Sequence, residues 1–534
     1  MAEVTLASDV ESGFYRRGLR GTVATSTTVV YAFYIDETGD DFFYVKSTDA
    51  GANWGSPVTI RTGTVDVFDV WYDKWTPGIT GTKIHIAYTD SGVDDVFYRD
   101  LETATDTLGT ERTVFAGASV DDTSWQTVIV SITKAQGGNL YVAFNIDGGT
   151  EQGFYRSVDA GVNWTSRGDL NESSGDTYLL FPANVSDNQD ICALFADNVT
   201  GNEVSIKMYD DSANTWTETA IAAQVDSASY IQMSGAVRHS DKHVIVTFWS
   251  TIDGSGADLF CYDITADSIA APTITAKTNV SAGAGSDDQA QCAVSINQNN
   301  DDIYVAVIGK SDGSETWEAS VHVYYYKSAD DGASWDAQVV VSTTLDDHRL
   351  IFADLGGTSS LFLPVWFNDD LNTLVTDSAK GVAFAPSASA AITGTITASV
   401  TETDIVNGGK TLIITLTNDT WIAAGAASFD LQRDEIIQGA DSAQGEALGW
   451  NLQVRDTEVV TAVVRTSDTV VTWTLTASAL YNITAQETIT VTVPGTALVG
   501  GNAIVATPTF TIDPVGGTAV KDIIGGMGII PFAR

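Results

Sequence analysis

The chain has 534 residues, of which 44% are hydrophobic and 10% aromatic. This composition excludes a disordered chain and supplies enough apolar material for two or more domains with buried cores. The 69 acidic and 26 basic residues give a net charge of −43, which excludes nucleic acid or an anionic membrane as the main partner, because both need clustered Lys and Arg.

The N-terminal stretch, residues 1–15, contains neither a basic segment nor an apolar segment, so we predict no secretory signal. No run approaches 18 apolar residues, so we expect no membrane insertion. We therefore expect synthesis in a host cytoplasm and release by another route, such as assembly into a virus particle.

An eight-residue pattern, Ser-x-Asp-x-Gly-x-x-Trp, occurs at 47–54, 157–164 and 328–335. The Asp carboxylate of such an Asp box can accept backbone N–H groups of its own turn, and Gly permits a positive φ. The Trp can fold back against neighbouring strands. We interpret the box as a structural clip, with no catalytic role. Its residues are Ser47, Asp49, Gly51, Trp54, Ser157, Asp159, Gly161, Trp164, Ser328, Asp330, Gly332 and Trp335.

A second marker, an alternating apolar strand that ends in an acidic loop, occurs seven times, about 55 residues apart. Each unit fits four strands, with the marker strand second and the Asp box, or a degenerate turn, between the third and fourth. Repeated four-stranded units of this length are typical of a β-propeller. We predict an all-β fold with a seven-bladed β-propeller at 1–387. Six blades are the alternative if the last unit, which fades over 372–386, is incomplete.

The acidic loops join the second and third strands, so they share one rim, opposite the Asp boxes. A ring of Asp side chains there could hold Ca²⁺ through oxygen ligands, or accept hydrogen bonds from sugar hydroxyls. The alternative is that these residues form ordinary turns that cap hairpins. The predicted binding residues of this acidic rim are Asp36, Asp40, Asp90, Asp94, Asp147, Asp197, Asp253, Asp312 and Asp369.

Cysteine and histidine give no sign of a metal centre. The three cysteines lie singly in apolar runs, which predicts buried thiols rather than disulfides or a zinc site. The five histidines form no metal-type cluster. These residues are Cys192, Cys261, Cys292, His85, His239, His243, His322 and His348.

The Asp boxes, together with residues 14–60, resemble the first blade of sialidase-type Asp-box propellers. That resemblance implies a scaffold shared by exo-acting hydrolases, receptors and adhesins. Sialidases use three arginines, a nucleophilic Tyr with a Glu, and an acidic proton donor. Arg16 resembles the first arginine and Arg349 could be the second, but Arg238 and Arg156 lie at the wrong ends of their strands. We therefore predict that the chain is not an enzyme and has no catalytic residue.

The C-terminal third changes in composition. Residues 388–512 form short strand patterns with one helix-like segment at 427–443, which predicts an immunoglobulin-like β-sandwich. The phrases "TLTNDTW", "VVRTSDTVVTWTL" and "YNITAQETITVTVP" resemble a module of bacteriophage structural proteins that is appended to fibre, tail or head-surface proteins. Residues 513–534 form an apolar, Gly-rich tail, for which docking on its own domain or another virion subunit is expected.

These features favour a non-enzymatic bacteriophage virion protein. The propeller would recognise a glycan or receptor on the host surface, and the C-terminal module would attach it to other virion subunits in an oligomeric particle. The alternatives are a sialidase-like exo-glycosidase and a carbohydrate-binding surface adhesin of non-viral origin.

Overall fold

The protein divides into two compact units, Met1–Pro386 and Ser387–Arg534. In the described residues, strands are the main secondary structure of both units, which confirms the expected all-β class. No helix in the described residues is long and apolar enough to cross a membrane. The computed structural model describes residues 3–11, 20–117, 129–146, 151–170, 177–185, 187–196, 204–222, 233–250, 258–281, 291–308, 321–343, 345–346, 348–385, 393–397, 400–417, 419–421, 440–441, 463–474, 486–491, 498–499 and 509–514.

In the first unit, strand β1 (Val4–Ser8) is followed by six antiparallel sheets, each built from strands that are consecutive in the chain. The first sheet contains β2 (Thr22–Ala24), β3 (Val30–Ile35), β4 (Phe42–Ser47) and β5 (Val58–Arg61). The second contains β6 (Val65–Tyr72), β7 (Lys83–Asp90), β8 (Asp95–Glu102), β9 (Thr107–Leu108) and β10 (Arg112–Ala116). The third contains β11 (Ile129–Lys134), β12 (Leu140–Ile146), β13 (Glu151–Ser157) and β14 (Thr165–Ser166).

The next three sheets repeat the same order. The fourth contains β15 (Thr177–Pro182), β16 (Ile191–Ala196), β17 (Val204–Asp210) and β18 (Thr215–Ala222). The fifth contains β19 (Met233–Val237), β20 (Val244–Ser250), β21 (Asp258–Thr265) and β22 (Thr273–Ala276). The sixth contains β23 (Cys292–Asn297), β24 (Asp302–Ile308), β25 (Val323–Ser328) and β26 (Val339–Val340).

The seventh sheet takes its outer strand from the start of the chain. The remaining strands of this unit are β27 (His348–Phe352), β28 (Ser360–Phe362), β29 (Val365–Asn368), β30 (Thr373–Thr376) and β31 (Val382–Phe384). The sheet order is β27-β29-β30-β1, with Val4 opposite Thr376 and Ser8 opposite Thr373, while β28 pairs separately with β31. The unit that fades in the sequence is therefore completed by a strand more than 360 residues earlier in the chain.

The sheets follow one another around a common centre. The first strands of successive sheets pack side by side: β6 on β11, then β15, β19, β23 and β27. Strands at the first and second positions are buried along most of their length, and β3, "VYAFYI", along all of it, because sheets cover both of their faces.

Side chains on the first strands also bind the backbone of the next sheet. A carboxylate or hydroxyl of one first strand accepts an N–H from the neighbouring one, and this occurs between the seventh sheet and the first as well. The four bonds run from Ile132 N to Asp69 Oδ2 (2.9 Å), Leu180 N to Ser131 Oγ (3.0 Å), Val294 N to Ser234 Oγ (3.0 Å) and Ala24 N to Asp354 Oδ1 (2.9 Å).

Antiparallel order gives each sheet two distinct ends. Connections from first to second and from third to fourth strands lie at one end, which we call the box face because it carries the Asp boxes. Connections from second to third strands lie at the other end, which we call the acidic face because residues 36–41 and 91–94 lie there.

Each Asp box closes its own turn with the same hydrogen bonds. In the first box, Ser47 Oγ accepts from Gly51 N (2.9 Å), and Asp49 Oδ1 accepts from Asn53 N (2.8 Å). The bonds from the side chain and backbone of Asn53 lower the pKa of Asp49. Trp54 Nε1 donates to Gly51 O (3.1 Å). The other two boxes repeat the bonds that Asp49 and Ser47 make.

Each box also contacts the preceding sheet, so the expectation of a self-contained clip is incomplete. In the third sheet, Trp164 packs on Tyr98 of the second, with ring centroids 5.3 Å apart. In the sixth, Trp335 Nε1 donates to Thr278 O beyond the fifth sheet (2.9 Å). In the first, Trp54 packs with Leu363 of the seventh-sheet region. The box therefore clips neighbouring sheets together.

Replacing Gly161 by alanine tests this contact. Gly161 has φ +88°, and an added Cβ would lie 2.1 Å from the Tyr98 ring. We expect a loss of about 2–4 kcal/mol in the free energy of unfolding, from overpacking together with the left-handed backbone. Gly138→Ala is the matched control, since Gly138 has φ +99° and no neighbour within 4 Å. Equal losses in urea unfolding of the two variants would contradict the packing role of Gly161.

The second unit contains two four-stranded sheets in the described residues. Their elements are β32 (Thr393–Thr397), β33 (Val400–Thr401), α1 (Glu402–Asn407), β34 (Thr411–Thr417), β35 (Ala440–Asp441), β36 (Val463–Arg465), β37 (Val470–Thr474), β38 (Glu487–Val491) and β39 (Thr509–Asp513). The sheet orders are β32-β34-β37-β36 and β33-β39-β38-β35, with β33 parallel to β39. Trp421 and Leu412 are fully buried in this unit.

Two details of the second unit differ from the sequence prediction. Helix α1 was not predicted; it is held at its start by a capping box, in which Thr401 N donates to Asp404 Oδ2 (2.9 Å) and Asp404 N to Thr401 Oγ1 (3.3 Å). Within the predicted helical segment 427–443, residues 440–441 pair with β38, so that end is a strand. The rest of this segment and the tail from 515 onward lie outside the described residues.

Candidate functional site

The centre of the first unit is occupied by Arg20, which lies two residues before β2. Its guanidinium forms a fork with the carboxylate of Asp69, with Nε 3.0 Å from Oδ1. It also donates to Leu180 O (3.0 Å), Ile132 O (2.9 Å) and Ser131 Oγ (3.0 Å). One side chain thus joins the first strands of the second, third and fourth sheets.

Aromatic rings complete the surroundings of this cation. The guanidinium carbon of Arg20 lies 4.8 Å from the Trp71 ring centroid and 5.6 Å from that of Phe181. Arg20 is 4% exposed and Asp69 is fully buried. The centre is therefore blocked by a buried, fully bonded ion pair rather than left as an open channel.

The box-face end of the centre is closed by Trp75 and Asp354. Trp75 Nε1 donates to Asp354 Oδ1 (3.1 Å), and its ring packs edge-on against Trp71. Asp354 also accepts from Ala24 N (2.9 Å) and Gly356 N (3.0 Å). Burial raises the pKa of Asp354 to about 7, against the opposing effect of these hydrogen bonds.

Above this plug lies a cleft of about 340 Å³ on the box face. It is formed by first-to-second strand connections of four sheets, the first, second, fifth and seventh. Its lining residues are Ala24, Thr25, Tyr72, Lys74, Ile79, Thr80, His239, Gly356, Gly357, Thr358, Ser359 and Ser360.

Two long connections build the walls of this cleft. The connection in the second sheet spans 73–82 and that in the seventh spans 353–364, whereas the equivalents in the first, third and sixth sheets span 25–29, 135–139 and 298–301. Gly356 allows the seventh-sheet wall to pack closely, because it has φ +105° and an added Cβ would lie 1.9 Å from Ile296 O. No other residue fits at that position.

The cleft is lined by both polar and apolar groups and carries no carboxylate in its described lining. The Lys74 ammonium, exposed at the edge, lies 5.9 Å from the Tyr72 ring centroid. His239 is held by a bond from its N to Gln298 Oε1 (2.7 Å), and burial lowers its pKa, so the ring is neutral at neutral pH. Burial raises the pKa of Tyr72, which stays a phenol. Hydroxyl groups of Thr and Ser supply the remaining polar surface.

On the acidic face, three described members of the predicted rim have side-chain partners. Asp36 Oδ1 accepts from Asp41 N (2.7 Å), which is a capping turn. Asp90 is buried and pairs with Arg61 (2.7 Å), and Asp369 pairs with Arg349 (2.6 Å). Asp40 and Asp94 occupy turn positions with φ +51° and +55°. Asp147, Asp197, Asp253 and Asp312 lie outside the described residues.

The arginines considered for a sialidase-like triad do not converge in the described residues. Arg238 is buried at the box-face end of the fifth sheet, where it pairs with Asp263 (2.8 Å), Asp241 (2.6 Å) and Asp331. Arg156 Nη1 pairs with Asp211 (2.7 Å), joining the third and fourth sheets. Arg16 lies outside the described residues.

Metal ligands are also not grouped in the part of the chain that the structure describes, where no set of three His, Cys, Asp or Glu could hold an ion. The three cysteines are buried and unpaired, and burial raises their pKa, as for Cys261, to about 12. His85 is buried between Asp73 (3.0 Å) and Tyr98 (2.8 Å), where it serves the packing of the second sheet.

No family model and no curated protein matches the chain. Among solved structures, it is similar to a polysaccharide lyase described as an ulvan lyase, with 10% identity, 70% of this chain and 95% of that chain covered, and a TM-score of 0.44. It is also similar to a six-bladed β-propeller lectin from Aleuria aurantia, with 10% identity, 72% and 99% covered, and a TM-score of 0.37. An arabinofuranosidase from Fusarium graminearum shows 14% identity, 55% and 88% covered, and a TM-score of 0.34. At these values the comparisons assign neither a fold nor an activity.

Proposed function

We propose that the first unit is a seven-bladed β-propeller that binds a glycan on a host surface, without enzymatic activity. Seven antiparallel sheets succeed one another in the chain, and the last shares a strand with the N-terminus. The hydrogen bond from Ala24 N to Asp354 supports closure of the ring between the seventh and first blades. The observation that carries the binding role is the cleft on the box face, whose lining includes hydroxyl groups, a lysine and a histidine.

The lining of the cleft suits a sugar better than a reaction. Hydroxyl groups and an ammonium can donate to sugar oxygens, and the neutral imidazole of His239 can accept through Nδ1, because its Nε2 faces Trp75 O (3.4 Å). Pocket volumes of this order hold a small ligand. Glycoside hydrolysis needs two carboxyl groups at the scissile bond, and the nearby Asp354 already accepts three hydrogen bonds below the cleft.

We further propose that the chain is a virion component of a bacteriophage. The support is the resemblance of the C-terminal phrases to phage structural modules. The two four-stranded sheets of the second unit are compatible with the proposed immunoglobulin-like sandwich, which would attach the propeller to other virion subunits.

Two measurements test this function. Mass spectrometry of purified particles should find the chain in stoichiometric amounts, and its absence would remove the virion assignment.

A glycan array with the full chain should show saturable binding that falls at least tenfold in Ser359→Trp, which fills the cleft. Arg112→Ala, an exposed change on the outer strand β10, should leave binding unchanged. Binding that survives Ser359→Trp would place the glycan elsewhere.

A further inference from the structure

The geometry points to a more specific ligand for the cleft: we infer that it takes a saccharide unit carrying one anionic group, held by the ammonium of Lys74. This inference rests on the proposed glycan-binding function. It concerns the box face, for which the sequence analysis predicted only the structural role of the Asp boxes.

The distribution of charge carries the argument. The chain has 69 acidic residues, yet the described lining of the cleft contains none, and it contains a lysine. On a protein of net charge −43, an anionic ligand is repelled over most of the surface, so a site free of carboxylates is where it can bind.

Lys74 is placed to act as the anchor. Most lysines and arginines of the first unit that the structure describes bind a carboxylate, as Lys46 binds Asp106 (2.7 Å) and Lys277 binds Asp331. Lys74 forms no ion pair with a described residue, and its ammonium lies 5.9 Å from the Tyr72 ring centroid. Its charge is therefore available to a ligand, and an ammonium can meet a carboxylate or a sulfate as a point charge.

The opposite wall supplies hydrogen-bond donors. Gly357, Thr358 and Ser359 line the cleft, and their backbone N–H groups donate to no acceptor within the described residues. Successive free amides of this kind favour oxyanions and sugar oxygens. Below them, Asp354 is turned away from the ligand by its bonds to Ala24, Trp75 and Gly356.

Titration calorimetry of the full chain with three probes tests the inference: methyl α-D-galacturonide, methyl α-D-galactoside and galactose 6-sulfate. We expect at least one anionic probe to bind tenfold or more tightly than the neutral galactoside. Raising the salt concentration should weaken the anionic probes alone. The preferred anionic probe then tells carboxylate from sulfate.

Variants of Lys74 test whether this residue causes the preference for anionic probes. Lys74→Ala should abolish the preference for the anionic probe, while Lys74→Arg and the control Arg112→Ala should keep it. Equal affinity for charged and neutral probes, a preference that survives Lys74→Ala, or no binding of any probe overturns the inference. An array that shows neutral glycans lost on Ser359→Trp would leave the proposed function standing while rejecting this ligand class.

Discussion

Replacing Arg20 by alanine is expected to lower the free energy of unfolding by about 3–5 kcal/mol, because it leaves the carboxylate of Asp69 buried without its counter-charge. The change also removes donors to Leu180 O and Ile132 O and opens a space between Trp71 and Phe181. Urea unfolding of the full chain, followed by tryptophan fluorescence, measures the loss.

Companion variants separate the charge from the packing. Arg20→Lys keeps the charge without the planar fork, so we expect an intermediate loss. Arg20→Met combined with Asp69→Leu removes both charges and should recover much of the stability, since a buried ion pair can often be replaced by apolar side chains. Arg112→Ala gives the baseline for an exposed arginine. If Arg20→Ala unfolds at the same urea concentration as that control, Arg20 does not stabilise the contact between the second, third and fourth sheets.

The second large effect is a dependence of the free energy of unfolding on pH, which we expect to disappear in Asp354→Asn. The pKa of Asp354 is about 7 in the folded protein, raised by burial from an ordinary value of 3.8. Between these values the unfolded chain has lost the proton and the folded chain retains it, so stability falls as pH rises from about 4 to 7 and is level above. The shift corresponds to a loss on the order of 4 kcal/mol.

The comparison of wild type with Asp354→Asn isolates this group. At pH 5 both side chains are neutral, and the variant should be less stable by about 1–3 kcal/mol because its amide cannot accept from Gly356 N. By pH 8 that difference should shrink or reverse. Asp190, whose pKa burial raises to about 6, contributes in the same direction but equally to both chains.

Asp106→Asn is a control, because the pKa of Asp106 is shifted in the opposite direction to that of Asp354. Burial opposes ionisation of Asp106, but hydrogen bonds from Lys46 and Tyr31 outweigh it and lower its pKa. Its contribution to stability is therefore present above about pH 4 and constant from pH 5 to 8. The difference in free energy of unfolding between wild type and Asp354→Asn should change over this range. If it is as constant as the contribution of Asp106, the titration of Asp354 is refuted.

The repeat made the all-β class and the strand order within each unit predictable, because apolar alternation and turn residues are local signals. Strand β1 escaped prediction for the same reason: "VTLAS" pairs with residues 373–376, and no local pattern links the two segments. The hydrogen bonds inside each Asp box follow from its motif. Their contacts with the preceding sheet, such as Trp164 on Tyr98, need the ring arrangement.

The cleft could not be read from any motif, because its residues come from connections in four different sheets. Only one sequence signal could have indicated it: the unusual length of 73–82 and 353–364. Arg20 was missed because "RRGLRG" offers three arginines, and no local pattern marks the one that binds Asp69. The predicted binding role of the acidic rim stays a prediction, although Asp36, Asp90 and Asp369 already serve turns or ion pairs.

The pairing of β1 with β30 makes completion of the first unit depend on translation of residues 373–376. The outer edge of the seventh sheet and β1 itself stay unpaired until residue 376 has left the ribosome. A chain truncated earlier would keep the flank of the first sheet open, exposing apolar strands such as β3 to chaperones and proteases. Strand β1 therefore completes the first unit only in chains that have been translated through residue 376.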